Sequence, residues 1–202
     1  MKFDVEAGDL LRDFGPAGVC RARREALQGL PVQESSREFL TSVGIPAAGL
    51  FSISGALADR ESGVAGDAVS GESDIVVVDV PEGRLLRIGW IQDFDVLVHL
   101  ENGRVYFGIG DGHVLVHDDV SSLSSLLRLI GQEFPEESEF GDDDEFGDDG
   151  DDGDDDDDEA EIDRPAAARR IRSAITAGDP LPLSAPGSPW PAILDDYETG
   201  IY

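Results

Sequence analysis

The sequence predicts an α+β fold: an antiparallel β-meander sheet flanked by helices, with a disordered acidic insertion. Residues 74–117 alternate apolar and polar side chains around an Asn102-Gly103 pair, a dipeptide typical of β-hairpins. Apolar residues at helical spacing occur on both sides of this region. Residues 141–159 contain 14 acidic residues and no basic ones, and such a run buries too little apolar surface to fold.

Two short helices are predicted before the sheet. Residues 6–14 form the first, and residues 35–43 form the second, with Ser35 as its N-cap. Residues 50–53 are predicted as a first strand. The small and polar residues 56–73 show little periodicity and predict a loop.

The meander is predicted to continue through five strands, at residues 75–78, 84–91, 94–100, 105–109 and 113–117. A two-residue turn at Asn102-Gly103 would pair Glu101 with Arg104 and Val98 with Phe107. The core face would then carry Val96, Val98, Leu100, Val105, Phe107 and Ile109. The opposite face would carry Asp95, Leu97, His99, Glu101, Arg104 and Tyr106.

Helices are predicted again after the sheet. One begins at Ser121 or Ser122, and another spans residues 162–177 with Asp163 as its N-cap. A proline-rich link (residues 180–191) leads to a last helix within residues 190–202. The predicted organisation is therefore a main α+β part (1–140), an acidic low-complexity insertion (141–160) and C-terminal helices that complete the domain (161–202).

Composition narrows the possible partners. The chain has 202 residues and a formal net charge of −29, so nucleic acid and anionic membranes should repel it, whereas cations and basic proteins should be attracted. Its one cysteine, Cys20, cannot form an internal disulfide, and a buried apolar role is favoured over a reactive thiol. No signal-peptide pattern or apolar stretch of about 20 residues is present. We therefore expect a cytoplasmic protein.

No catalytic or metal site is predicted. His113 and His117 have the spacing of a helical zinc site, but on a strand their side chains would be about 13 Å apart. The glycines of residues 108–112 join two strands and therefore indicate a tight turn, not a phosphate-binding loop. Asp118 and Asp119 precede a helix, where they can cap it.

The acidic run allows one weak alternative, calcium binding. Placing Gly153 at the centre of an EF-hand loop brings acidic residues to several ligand positions, but Gly150 fails at one of them and no amphipathic helices flank the loop. Loose cation condensation and a merely solvated run remain open. No cofactor is predicted.

Three segments resemble the SUKH superfamily of bacterial immunity proteins, in particular its fourth subgroup. Residues 36–46 (SREFLTSVGIP), followed by Leu50-Phe51, resemble the family's FL…GLP motif. Residues 85–89 and 101–106 (ENGRVY) resemble its meander and G-x-V-Y hairpin. Residues 120–127 (VSSLSSLL) resemble the N-S-S-L…FL start of the family's next helix. Ser121 stands where the family often has Asn, and the acidic insertion is unusual.

The resemblance implies a SUKH-like fold that binds and blocks a toxin delivered by neighbouring cells, often a nuclease or deaminase, without catalytic residues of its own. A basic protein toxin is thus the expected partner. Two alternatives remain: a scaffold or regulatory protein-binding domain, and an acidic nucleic-acid mimic acting through the Asp-rich run. The candidate partner-binding residues lie on the second face of the sheet, unless a helix covers that face: Leu97, His99, Tyr106, His113, Leu115 and His117.

Overall fold

The structure, a computed structural model, describes residues 1–60, 63–66, 68–71, 73–135 and 162–201. Its helices are α1 (Ala7–Phe14), α2 (Glu34–Glu38), which continues as a π-helical turn (Phe39–Val43), α3 (Val120–Glu133), α4 (Arg164–Gly178), α5 (Leu181–Ser184) and α6 (Trp190–Thr199). Its strands are β1 (Val19–Cys20), β2 (Ile45–Pro46), β3 (Phe51–Ile53), β4 (Val77–Val80), β5 (Gly83–Ile91), β6 (Phe94–His99), β7 (Val105–Ile109) and β8 (Gly112–His117). The predicted acidic insertion lies outside the described residues.

The large sheet is an antiparallel meander in the order β3-β5-β6-β7-β8. Strands β3 and β4 share one edge of β5: β3 pairs with its last residues and β4 with its first. Strands β1 and β2 form a separate two-stranded sheet. This antiparallel sheet with flanking helices confirms the predicted α+β class.

The close approach of β3 to β5 requires a glycine. At Gly89 the register of β5 and β6 shifts, and an added Cβ would lie 2.1 Å from the backbone oxygen of Ser52. No side chain fits in that space, so β3 and β5 can pair at this position only around Gly89.

The predicted pairing of the Asn102-Gly103 hairpin is wrong by two residues. Val98 pairs with Val105, not with Phe107, and the turn is longer than two residues. Because a shift of two preserves the side-chain alternation, the predicted division between the two faces survives for β6 and β7.

Long-range contacts explain this register. The backbone oxygen of Leu100 accepts a hydrogen bond from Gln33 N at 2.6 Å, and Leu100 N donates to the oxygen of Arg84 at 2.9 Å. Gly103 packs so closely on α2 that an added Cβ would lie 2.1 Å from Gln33 Oε1. These contacts hold Leu100 in the turn, although local turn preference favours keeping it in the strand.

Helix starts agree in part with the prediction. Asp163 caps α4, accepting a hydrogen bond from Ala166 N. Asp119, one of the two aspartates predicted as caps, caps α3 through hydrogen bonds from Ser121 N and Ser122 N, and the helix begins at Val120, one residue before Ser121. The predicted N-cap role of Ser35 is wrong, because α2 begins one residue earlier without a side-chain cap.

One hydrophobic core fills the space between the first face of the large sheet and helices α3, α4 and α6. Its largest buried side chains include Phe51, Phe107, Phe134 and Trp190. Trp190 begins α6, and its ring lies 5.5 Å from that of Phe107 on β7. Helices that follow the acidic insertion in sequence therefore share a core with strands that precede it.

Candidate partner-binding surface

The second face of the large sheet carries a small apolar cluster of its own, here called the outer cluster. Strand pairing brings it together: Val78 lies opposite Leu85, and Leu97 opposite Tyr106, which also pairs with Leu115. In the described part of the chain, the cluster contains only strand residues, and no helix packs on it. Its members are Val78, Val80, Leu85, Leu97, Tyr106 and Leu115.

The outer cluster contains both fully buried and half-buried side chains. Leu85 and Leu97 are buried at 0% and 1% exposure, whereas Val78, Val80 and Leu115 are half-buried. A partner would therefore contact the half-buried side chains, while the two leucines support them from below.

Charged and aromatic side chains adjoin the cluster on the same face. Arg87, opposite Leu97, forms an ion pair with Asp95 at 3.1 Å. Its guanidinium also lies 4.8 Å from the centre of the Trp90 ring, a distance typical of a cation–π contact. Tryptophan and arginine beside an apolar centre are the residue types enriched where proteins bind one another.

Three of the six predicted residues, Leu97, Tyr106 and Leu115, belong to the outer cluster. His113 lies on the same face of β8, opposite Gly108, and is half-buried. Sequence reasoning missed Val78, Val80, Leu85, Arg87 and Trp90. Their strands were predicted, but no pairing register was assigned to β4 and β5 from the sequence. Only that register would have placed these residues beside Leu97.

His99 lies on the predicted face, where it organises two hairpins. Its Nε2 lies 2.9 Å from the oxygen of Glu82, and its Nδ1 accepts hydrogen bonds from Glu101 N and Asn102 N. Because Nδ1 accepts, the proton of the neutral ring is on Nε2 and is donated to Glu82. The ring thus ties the β4–β5 hairpin to the β6–β7 turn.

The prediction that His117 shares the second face is wrong. Between Val105 and Tyr106 the pairing of β7 and β8 shifts register, so that His117 faces the core. It is fully buried there. A bulge of this kind reverses side-chain direction, which simple alternation along the strand does not reveal.

A chain of hydrogen bonds, here called the polar chain, surrounds His117. Trp190 Nε1 donates to His117 Nε2 at 2.9 Å, and His117 Nδ1 lies 2.9 Å from Ser122 Oγ. Ser122 Oγ donates in turn to Asp179 Oδ2 at 2.5 Å. An indole can only donate, so Nε2 is unprotonated and Nδ1 donates to the serine.

The polar chain contains the residue types of a Ser-His-Asp triad but runs in the opposite direction. In a hydrolase the serine donates to the histidine, which donates to the aspartate. Here the serine donates to the aspartate, and all four side chains are fully buried. The arrangement cannot present an activated serine to a substrate, so its role is structural.

Asp179 is the acceptor at the end of the polar chain. Besides Ser122, Asp118 N donates to its Oδ2 at 3.0 Å, and Leu181 N donates to its Oδ1 at 3.1 Å. One carboxyl group thus joins the end of β8, the start of α3 and the start of α5. Its only signal in the sequence is a weak one, an aspartate before a proline at the end of a predicted helix.

The described ranges contain no group of three or more His, Cys, Asp or Glu side chains placed to hold a metal ion. Likewise, none of their helices combines the length and apolar character needed to cross a membrane.

Comparison with known proteins identifies the family. The model of a family described as SUKH-4 immunity protein matches residues 5–196. No curated protein and no solved structure matches the chain. The family match spans the sheet, the acidic insertion and most of the C-terminal helices, which together make up nearly the whole sequence. The chain therefore belongs to the SUKH-4 immunity protein family.

Proposed function

We propose that this protein binds and neutralises a protein toxin in the cytoplasm, and that the outer cluster is its binding surface. Membership of the SUKH-4 family indicates an immunity-protein role. The observation that carries the proposed surface is an apolar cluster on a sheet face over which no described helix packs. Apolar clusters of this kind, bordered by polar residues, are typical of protein-binding sites.

Charge favours a basic toxin, such as a nuclease or deaminase, as the partner. Residues 31–135 carry 16 acidic and 6 basic side chains, so the sheet-bearing part is acidic without the Asp-rich run. An acidic surface steers a basic protein toward it and speeds association. The same charge disfavours nucleic acid and anionic membranes as partners. We propose a non-enzymatic protein that needs no cofactor.

Co-expression with the toxin encoded beside it tests the proposal. We expect the protein to restore growth of cells that make the toxin, and to co-purify with it. Failure of both, with the protein folded and abundant, would contradict the immunity role.

Replacing Leu115 by arginine is expected to weaken toxin binding at least about tenfold. Leu115 is half-buried at the outer cluster, so a cation there removes apolar contact and repels a basic partner. Ile201→Arg is the matched control, because Ile201 is 69% exposed and lies outside the cluster. Binding is measured by calorimetry, and thermal unfolding checks the fold. Equal affinities for the two variants would exclude the outer cluster as the binding surface.

Deleting residues 141–159 separates this proposal from the acidic-mimic alternative. The chain on either side is already held together, since Arg170 on α4 bonds Glu133 on α3 and the Arg164 guanidinium lies 5.9 Å from the Phe134 ring centre. We expect unchanged thermal unfolding, retained neutralisation and slower association at low salt, because 14 acidic residues are removed.

Stopped-flow mixing at two salt concentrations measures the association rate of the deletion variant. Loss of neutralisation by a folded variant would favour the acidic mimic over the outer cluster. Absence of toxin neutralisation by the wild type, together with a non-toxin partner bound through the sheet, would favour the scaffold alternative.

A further inference from the structure

Strand β4 presents unpaired backbone groups along its outer edge. Arg87 N donates to the oxygen of Val76 at 3.0 Å, so these two residues form a hydrogen-bonded pair. In an antiparallel ladder such pairs alternate with non-bonded ones. The backbone groups of Val78 and Val80 therefore point toward β5, whereas those of Val77 and Asp79 point away from the sheet.

The other edges of the sheet are covered. Beyond β3, Ile53 N donates to the oxygen of Ala68, and Ser70 N donates to the oxygen of Ile53. Beside β8 lies α5, and Gly187 approaches Val114 so that an added Cβ would lie 3.5 Å from it. Within the ranges that the structure describes, β4 pairs with β5 alone.

The edge is continuous with the outer cluster. Val78 and Val80 belong to the cluster and are half-buried, so a strand added beside β4 would extend it. Side chains of such a strand alternate between the two sheet faces. Every second residue would therefore pack beside the two valines, and the residues between would lie beside Asp79.

We propose that a strand of the toxin pairs with the outer edge of β4 and thereby extends the binding surface that the outer cluster forms. This inference depends on the proposed function and specifies how that surface is used. Added strands of this kind gain affinity from main-chain hydrogen bonds and specificity from alternate side chains. The toxin strand has apolar residues on the cluster side and basic residues on the other.

Charge favours a basic toxin strand, and not a strand from a second copy of the chain, as the partner of β4. Residues 73–83 contain Asp74, Asp79 and Glu82 and no basic side chain. Arg84, which lies opposite Asp79 on β5, leaves a local net charge of −2. Two copies with a formal charge of −29 each repel one another, whereas a basic strand complements the edge.

Comparing two substitutions of Asp79 tests the backbone pairing. Asp79→Ala removes the charge and keeps the N–H, whereas Asp79→Pro removes both. Proline is tolerated there because this N–H is not used by β5 and edge strands accept proline. We expect Asp79→Ala to weaken toxin binding by no more than about threefold, and Asp79→Pro to weaken it at least about tenfold. Equal affinities in two variants with unchanged thermal unfolding would overturn the inference.

Amide hydrogen exchange gives a second test that does not depend on substitution. In the free protein, the amides of Val77 and Asp79 should exchange fast and those of Val78 and Val80 slowly. Binding of the neighbouring toxin should protect Val77 and Asp79. Protection of the Val77 and Asp79 amides in the free protein, or their fast exchange in the complex, would overturn the strand inference. Either result would leave the proposed function intact. If the wild-type protein does not bind the toxin, both proposals fail.

Discussion

Replacing Asp179 by alanine is expected to lower the free energy of unfolding by about 4 kcal/mol. The carboxyl group accepts hydrogen bonds from Ser122 Oγ, Asp118 N and Leu181 N. All three donors would lose this acceptor at a site where Asp179 itself has no solvent exposure. A buried donor without a partner costs about 1–3 kcal/mol, so the loss of one carboxyl group affects three donors at once. Urea denaturation measures the loss.

The matched control is Asp195→Ala. Asp195 also bonds a neighbour, Arg172, but its side chain is 71% exposed, so water replaces the lost contact. We expect a loss of less than about 1 kcal/mol for this surface ion pair. A similar loss for both variants would show that the polar chain contributes no more than a surface contact does.

Acidification from pH 7.5 to 5.0 is expected to remove about 2 kcal/mol of stability through His117 alone. Burial lowers the pKa of His117 to about 3 from its ordinary 6.5, and outweighs the charges of Asp119 and Asp118, which act in the opposite direction. The folded state therefore keeps the ring neutral, as the hydrogen bond from Trp190 requires. Below pH 6.5 the unfolded chain gains a proton that the folded chain does not, so stability falls until pH 3 is approached.

The pH effect is isolated by comparing the wild type with His117→Gln at both pH values. The variant has no ring to protonate, so its stability deficit should shrink by about 2 kcal/mol at pH 5.0. His113→Gln is the control, since His113 is half-buried on the outer face and outside the polar chain. A deficit of His117→Gln that is the same at both pH values would contradict the burial of a neutral ring.

The strands could be predicted from sequence because alternation is a local property. Residues 105–109 match β7, and the shared faces of β6 and β7 were correct. The register was wrong because the turn at Asn102-Gly103 packs on Gln33, a contact between distant parts of the chain. The bulge that turns His117 inward depends on neighbouring strands in the same way. Position along a strand was therefore predictable, and the partners across it were not.

The candidate surface was predicted in part for the same reason. Leu97, Tyr106 and Leu115 follow from alternation within the β6–β8 meander. Their neighbour Leu85 required the pairing of β5, which is interrupted at Gly89. Asp179 gave almost no signal, because its role depends on residues 57 and 61 positions earlier in the sequence.

The position of Trp190 also bears on when the protein can fold during synthesis. Its indole bonds His117, 73 residues earlier, and its ring packs on Phe107. When the ribosome has completed the strands of the sheet, Trp190 has not yet been made. It is added only after the whole acidic segment and α4 have been translated. At about 5–20 residues per second, the ribosome needs several seconds for that stretch. During this interval one side of the finished sheet lacks its C-terminal cover, and the Asp-rich segment can keep the waiting chain from associating with others by repulsion.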